Sequence, residues 1–148
     1  MALGDSKLFN DFVKLGGNGT YNLGTDGFTL AFVSDAYSAV NADATNPAIT
    51  DYTVVSGGNI PATTALGTLT WTRSGATSTF DYADPATFAK NASNPATAKT
   101  ILIYQTTTGD LYKAVDITTD GGTTPADLVN NDLTYTVNAS GSSTWTAS

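Results

Sequence analysis

The sequence predicts an all-β protein: an antiparallel two-sheet sandwich, jelly-roll-like, with one short helix near its N-terminus. Three observations lead there. Thr, Gly, Ala, Asn and Asp dominate, Glu is absent, and Lys, Arg and Gln are scarce, so the straight-chain residues that favour helices are missing. Short apolar or alternating runs, roughly seven or eight of them, recur between turn residues at regular intervals. Neither an internal repeat nor a linker interrupts them, so residues 1–148 read as a single β-sandwich domain, with 1–20 as its N-terminal helix and arm.

The helix comes first. Asp5 or Ser6 can cap it, and Leu8, Phe9, Phe12, Val13 and Leu15 fall at helical spacing. Gly16-Gly17-Asn18-Gly19 ends it, because glycine accepts the left-handed conformation that terminates helices. Phe28–Val33 is a continuous apolar run bounded by turn residues, as expected of a strand buried on both faces. Residues 34–51 read as a surface loop and Asp51–Val55 as a short strand, stopped by Ser56-Gly-Gly-Asn59. Leu66–Arg73 alternates, with Leu69 and Trp71 on the inner face, which makes Trp71 a core residue. Ser74-Gly75-Ala76 joins that strand to Thr77–Tyr82 as a hairpin. Asp84 to Ala98 is irregular, with one helical turn at Ala86–Lys90. Ile101–Tyr104 is the strongest strand; Leu111–Ile117, Leu133–Val137 and Ser143–Thr146 follow.

Charge narrows the function. Only 13% of residues are charged, against about 25% in ordinary domains. Thirteen acidic residues, all Asp, against six basic ones leave a net charge of −7. Such a surface repels phosphate backbones, so a nucleic-acid partner is not expected. Met1 to Leu15 lacks the basic-then-apolar pattern of a secretory signal, and no run approaches the roughly 18 apolar residues that span a bilayer. The expectation is a protein made in the cytoplasm, with no membrane partner. Three Asn-x-Ser/Thr matches, at Asn18, Asn91 and Asn138, are read as chance in a chain this rich in those residues.

The inventory is poor in chemistry. Cys and His are absent, which removes thiolate nucleophiles, disulfides, the commonest general base and the commonest metal ligand. The lysines form no Ser-x-x-Lys pattern, and neither a Gly-x-Ser-x-Gly elbow nor a phosphate loop occurs. Gly16-Gly17-x-Gly19 follows a helix instead of a strand and reads as a terminator. Asp81 with Asp84 is the closest carboxylate pair for glycoside hydrolysis, but turn duty before Pro85 is the plainer reading. Asp116 with Asp120, or Asp127 with Asp132, could offer oxygens to calcium, without the dense Asp-x-Asp-x-Asp-Gly pattern of a dedicated loop. The expectation is therefore no enzyme, no cofactor and no metal. Trp145 and the tyrosines remain as aromatic surfaces on which a sugar ring could stack.

Lys7-Leu-Phe-Asn-Asp-Phe-Val13, followed by Tyr21-Asn-Leu-Gly-Thr-Asp-Gly-Phe-Thr-Leu-Ala31, resembles the opening of a family of small phage and prophage virion structural proteins. In that family a helix of the form Phe-x-x-Phe-Val leads to an Asn-Leu-Gly-x-Asp turn and an apolar strand. Asp81-Tyr-Ala-Asp84, Ala98 to Tyr104 and Thr134 to Thr146 resemble its later segments in order and spacing. Some members look like capsid decoration (cement) proteins with a jelly-roll-like sandwich. The resemblance implies a location on the capsid surface of a virion assembled in the host cytoplasm. It implies the major capsid protein as partner, and no catalytic residues.

The expected function is thus a decoration protein that clamps the outer capsid lattice, with copies self-associating in threes at local threefold positions. Leu8, Phe9 and Phe12 are the expected docking residues, since a short helix exposing two Phe side chains must bury them against a neighbour or its own sandwich. The alternatives are another virion subunit (tail, neck or fibre) and a carbohydrate-binding adhesion module.

Overall fold

The computed structural model describes residues 4–138 and 141–146. Its elements are β1 (Ser6–Leu8), α1 (Asn10–Gly17), β2 (Phe28–Val33), β3 (Thr64–Ala65), β4 (Thr70–Ser74), β5 (Thr77–Asp81), β6 (Thr100–Gln105), β7 (Leu111–Asp116) and β8 (Ser143–Thr146). They form two antiparallel sheets, β1-β7-β6-β2-β3 and β4-β5-β8, so the all-β sandwich is the fold.

β2 and β6 lie at the centre of the larger sheet, paired from Phe28↔Gln105 to Val33↔Thr100, and every residue of both is buried. Their near-continuous apolar sequences suit a sheet covered on both sides. One face carries Phe28, Leu30 and Phe32. At one end Phe28 meets Phe80 of the smaller sheet, ring centroids 5.1 Å apart. At the other, Phe32 meets Phe88 edge-on at 4.9 Å, where an irregular segment is tied by a Phe88↔Leu133 bridge. The second layer is therefore half sheet and half irregular chain.

The opposite face of the larger sheet is not left to solvent. Lys7 pairs with Ala114, Ala114 with Leu102 and Leu102 with Ala31, so these four side chains share that face. The Lys7 ammonium donates to the carbonyls of Tyr37 (2.8 Å) and Val40 (2.5 Å) and lies over the Tyr37 ring. Tyr37 and Val40 are buried. Residues 34–51, expected as a surface loop, instead form a cover with two short 3-10 turns, Tyr37–Ala39 and Ile49–Asp51.

Other boundaries also depart from expectation. Asp5 and Ser6 do not cap α1, because Ser6–Leu8 pairs with Lys113–Val115 of β7 and the helix starts only at Asn10. Gaining a sheet edge outweighs three more helical residues of indifferent propensity. Of the expected Leu66–Arg73 strand only the part from Thr70 is formed, as β4; β3 lies before it, and Thr68 between them has a positive φ of 50°. Asp51–Val55 and Leu133–Val137 are irregular, reduced to single bridges at Val54↔Val33 and Leu133↔Phe88. Ala86–Lys90 makes no helical turn. The hairpin is as expected: Ser74 pairs with Thr77, and Gly75 supplies the positive φ its tight turn needs.

Candidate functional site: an aromatic groove beside the helix

The helix closes one end of the sandwich. Phe12 points inward, stacked on Tyr21 (4.9 Å, 17° between planes) and edge-on to Tyr112 (4.8 Å). Phe9 is fully buried and Phe12 is 2% exposed. This corrects the docking expectation. Phe9 and Phe12 belong to the protein's own core, and Leu8, on β1, is half-buried against the same core. Anchors already enclosed by their own domain have little surface left to offer a partner.

What the helix does expose is Val13, 44% accessible, and beside it the smaller sheet exposes Trp71 at 43%. Trp71, expected in the core, lies instead at the mouth of a groove. Its face is the one that alternation predicts: Trp71 pairs with Phe80, which is fully buried, and paired residues share a face. The core simply ends before the sheet does. Beside the buried Phe80, Trp71 on one edge strand approaches Trp145 on the other. Their rings meet edge to face, 5.4 Å apart with 65° between planes. Between the two strands stands Ser78 of β5, paired with Trp145, whose small side chain leaves room for the indoles to converge.

The resulting groove encloses about 540 Å³. Trp71, Ser78 and Trp145 make one wall; Val13, Gly16 and Gly17 of α1 make the other; Phe12 and Tyr21 close the inner end and Asn22 and Leu23 the rim. No charged side chain is among the lining residues.

Helix termination shapes this wall. Gly19 has φ of 73°; its N–H donates to Gly16 O at 3.1 Å, and Thr20 N–H donates to Leu15 O at 3.0 Å. That pair of bonds is a Schellman ending with Gly19 in the left-handed position. Of residues 16–19, which the sequence predicts as one terminator, Gly19 alone takes the left-handed conformation that ends the helix. Gly16 and Gly17 are the last two residues of the helix, in its right-handed part, and a Cβ on either would meet open space.

The carboxylates noted in the sequence are used one by one in loops. Asp81 Oδ1 accepts from Tyr82 N–H at 2.9 Å and Asp84 Oδ1 from Val137 N–H at 2.6 Å. Asp116 Oδ1 holds the Thr118 backbone and hydroxyl, and Asp120 accepts from the N–H groups of Thr123 and Thr124; the Thr124 side chain first, and then these N–H groups, hold its carboxyl below the usual range. Asp127 is lowered in the same way by Asn130, and Asp132 accepts from Lys90 N–H. Among the described residues no group of three or more acidic side chains could hold a metal ion. No helix among them is long and apolar enough to cross a membrane. The chain matches no protein-family model, no curated protein and no solved structure.

Proposed function

We propose that the chain is a non-enzymatic structural subunit of a bacteriophage particle, a decoration or cement protein bound to the outside of the major capsid lattice. The observation that supports this reading most is how the N-terminal motif is used. Phe9 leads into a helix that carries Phe12 and Val13, with both Phe side chains seated in the core, and Asn22 to Asp26 forms a closed turn in which Asn22 N–H donates to Asp26 Oδ2 and Gly24 N–H to Asn22 Oδ1. The turn delivers β2, an inner strand of the larger sheet. Helix, turn and strand follow one another in the order the virion proteins suggest, and they lock the N-terminal segment to the sandwich.

A body covered on both faces of its main sheet suits a protein that must resist deformation on a pressurised shell. Binding at many identical lattice sites turns modest contacts into large total stabilisation. Its surface of hydroxyls and amides, with few long charged side chains, can lie against another protein with little desolvation of charge. The test is co-sedimentation of the purified protein with capsids lacking it. Saturable binding, with capsids that then survive more heat or osmotic shock, is expected. Capsids that neither bind nor are stabilised by it would end the proposal.

A further inference from the structure

We infer that the groove between Trp71, Trp145 and the end of α1 is a binding site for a neutral oligosaccharide. The inference goes beyond the virion reading and stands or falls separately from it.

The first ground is where apolar surface is left uncovered. Among the described residues the large exposed apolar side chains are Val13, Trp71 and Val54, and two of the three line this one groove. Scattered exposure needs no explanation, but exposure gathered into a concavity marks a site of contact. The volume of about 540 Å³ falls in the range of small-ligand sites, roughly 300–1,000 Å³.

The second ground is independent of the tryptophans. Glycine inside a helix is less stable than alanine, and here neither φ nor a close neighbour requires it at Gly16 or Gly17. Termination is supplied by Gly19. What the two glycines do achieve is a bare wall opposite Trp71, with peptide groups within reach of a ligand. Ser78 serves the same end on the facing wall.

The third ground is chemical. The groove lining holds no charged side chain, and Arg73, which pairs with Ser78 on the same sheet face, is turned to the Gly75 carbonyl, so the lining suits a neutral occupant. The edge-to-face indoles form a corner of ring face and ring edge, with the hydroxyl of Ser78 and the amide of Asn22 nearby. A pyranose ring matches this. Its C–H faces carry slight positive charge suited to the negative face of an indole, and its equatorial hydroxyls project outward to polar groups. A β-linked, all-equatorial sugar, apolar on both ring faces, fits the corner best.

Both tryptophans of the chain lie in the groove, so intrinsic fluorescence reports on it alone. The experiment titrates the full-length protein with cellotetraose, reading fluorescence and heat, alongside a panel of other neutral and sialylated glycans. Two variants accompany it. Trp71→Ala removes a platform, and Gly17→Leu fills the groove with a good helix former, with thermal melting as the folding control. The expected result is saturable binding of cellotetraose or another neutral glycan, weakened about tenfold or more by each variant, with Gly17→Leu at least as stable as the parent. Should Trp71→Ala fail to fold, Gly17→Leu decides alone. No binding of any neutral glycan, binding of charged glycans only, or undiminished binding by Gly17→Leu overturns the inference. So does loss of capsid binding by Gly17→Leu from a parent that ignores sugars, which would make the groove a protein interface.

Discussion

Tyr112 of β7 and Ser142, the residue leading into β8, join the two sheets of the sandwich through a buried hydroxyl–hydroxyl hydrogen bond of 3.0 Å. The same phenol bonds Ser143, and Lys113 donates to the Ser142 carbonyl at 2.7 Å. β8 is an edge strand paired with β5, and this contact joins the Phe28–Phe80 and Phe80–Tyr112 ring contacts in holding the smaller sheet against the larger. It also sets where the groove wall carrying Trp145 stands. Tyr112→Phe keeps the ring packing against Phe12, Phe28 and Phe80 and removes only the hydroxyl. A loss of about 1–2 kcal/mol is expected, read as a lowered melting temperature, with an unchanged circular dichroism spectrum.

Alkaline pH should unfold the protein cooperatively. The pKa of every tyrosine in the chain is raised by burial; Tyr112 is pushed up to about 12, and Tyr21 and Tyr82 are higher still. Unfolded tyrosine loses its proton near 10, so the folded state binds more protons above that value and stability falls as pH rises through and beyond it. Lys7 and Lys113, lowered by burial, act in the opposite sense below their ordinary 10.5, but they are two against seven. Melting temperature should hold to about pH 9 and drop steeply above 10. Tyrosinate absorbance should appear together with unfolding; gradual titration of a still-folded protein would contradict the burial.

Phe12 and Trp71 should respond oppositely to truncation. Phe12→Ala opens a cavity among Tyr21, Phe28 and Tyr112 and should cost about 3–5 kcal/mol, enough to leave much of the protein unfolded. Trp71→Ala removes a half-exposed ring at a sheet edge and should cost about 1 kcal/mol or less. Equal losses in urea titrations would mean that the groove is part of the core.

That contrast shows what the sequence could convey. Central strands were legible because β2 and β6 are unbroken apolar runs between turn residues. The inner face of β4 was legible too, since alternation places Leu69 and Trp71 together. Where the covering layer stops was not, because periodicity reports a face and not what lies over it. β1 escaped notice because Ser6–Leu8 carries no strand signature and is held by its partner β7 alone. Leu133–Val137 alternates like a strand yet stays irregular, spending its contacts on Phe88, Asp84 and the Tyr82–Tyr135 hydroxyl pair. The groove was only partly visible: Trp145 stood out as an aromatic surface near the chain end, whereas Gly16 and Gly17 were absorbed into the helix terminator.

Two glycine substitutions separate conformational need from space. Gly122 has φ of 89°, and a Cβ there would fall 2.6 Å from Ala36 Cα and Tyr37 N, backbone that cannot yield cheaply. Gly122→Ala should therefore destabilise by more than about 1 kcal/mol. Gly16→Ala meets open space in a helical conformation and should stabilise by about 0.4–1 kcal/mol. Both are measurable by thermal melting of the single variants.

The proposal that the protein coats a phage head is tested most directly by its copy number, counted by quantitative mass spectrometry against the major capsid protein in purified particles of a phage whose genome carries its gene. A decoration protein at repeated lattice positions predicts hundreds of copies per particle, in fixed proportion to the capsid subunit. A count of a dozen or fewer would assign it to the tail or neck, and its absence from washed particles would contradict a virion role altogether.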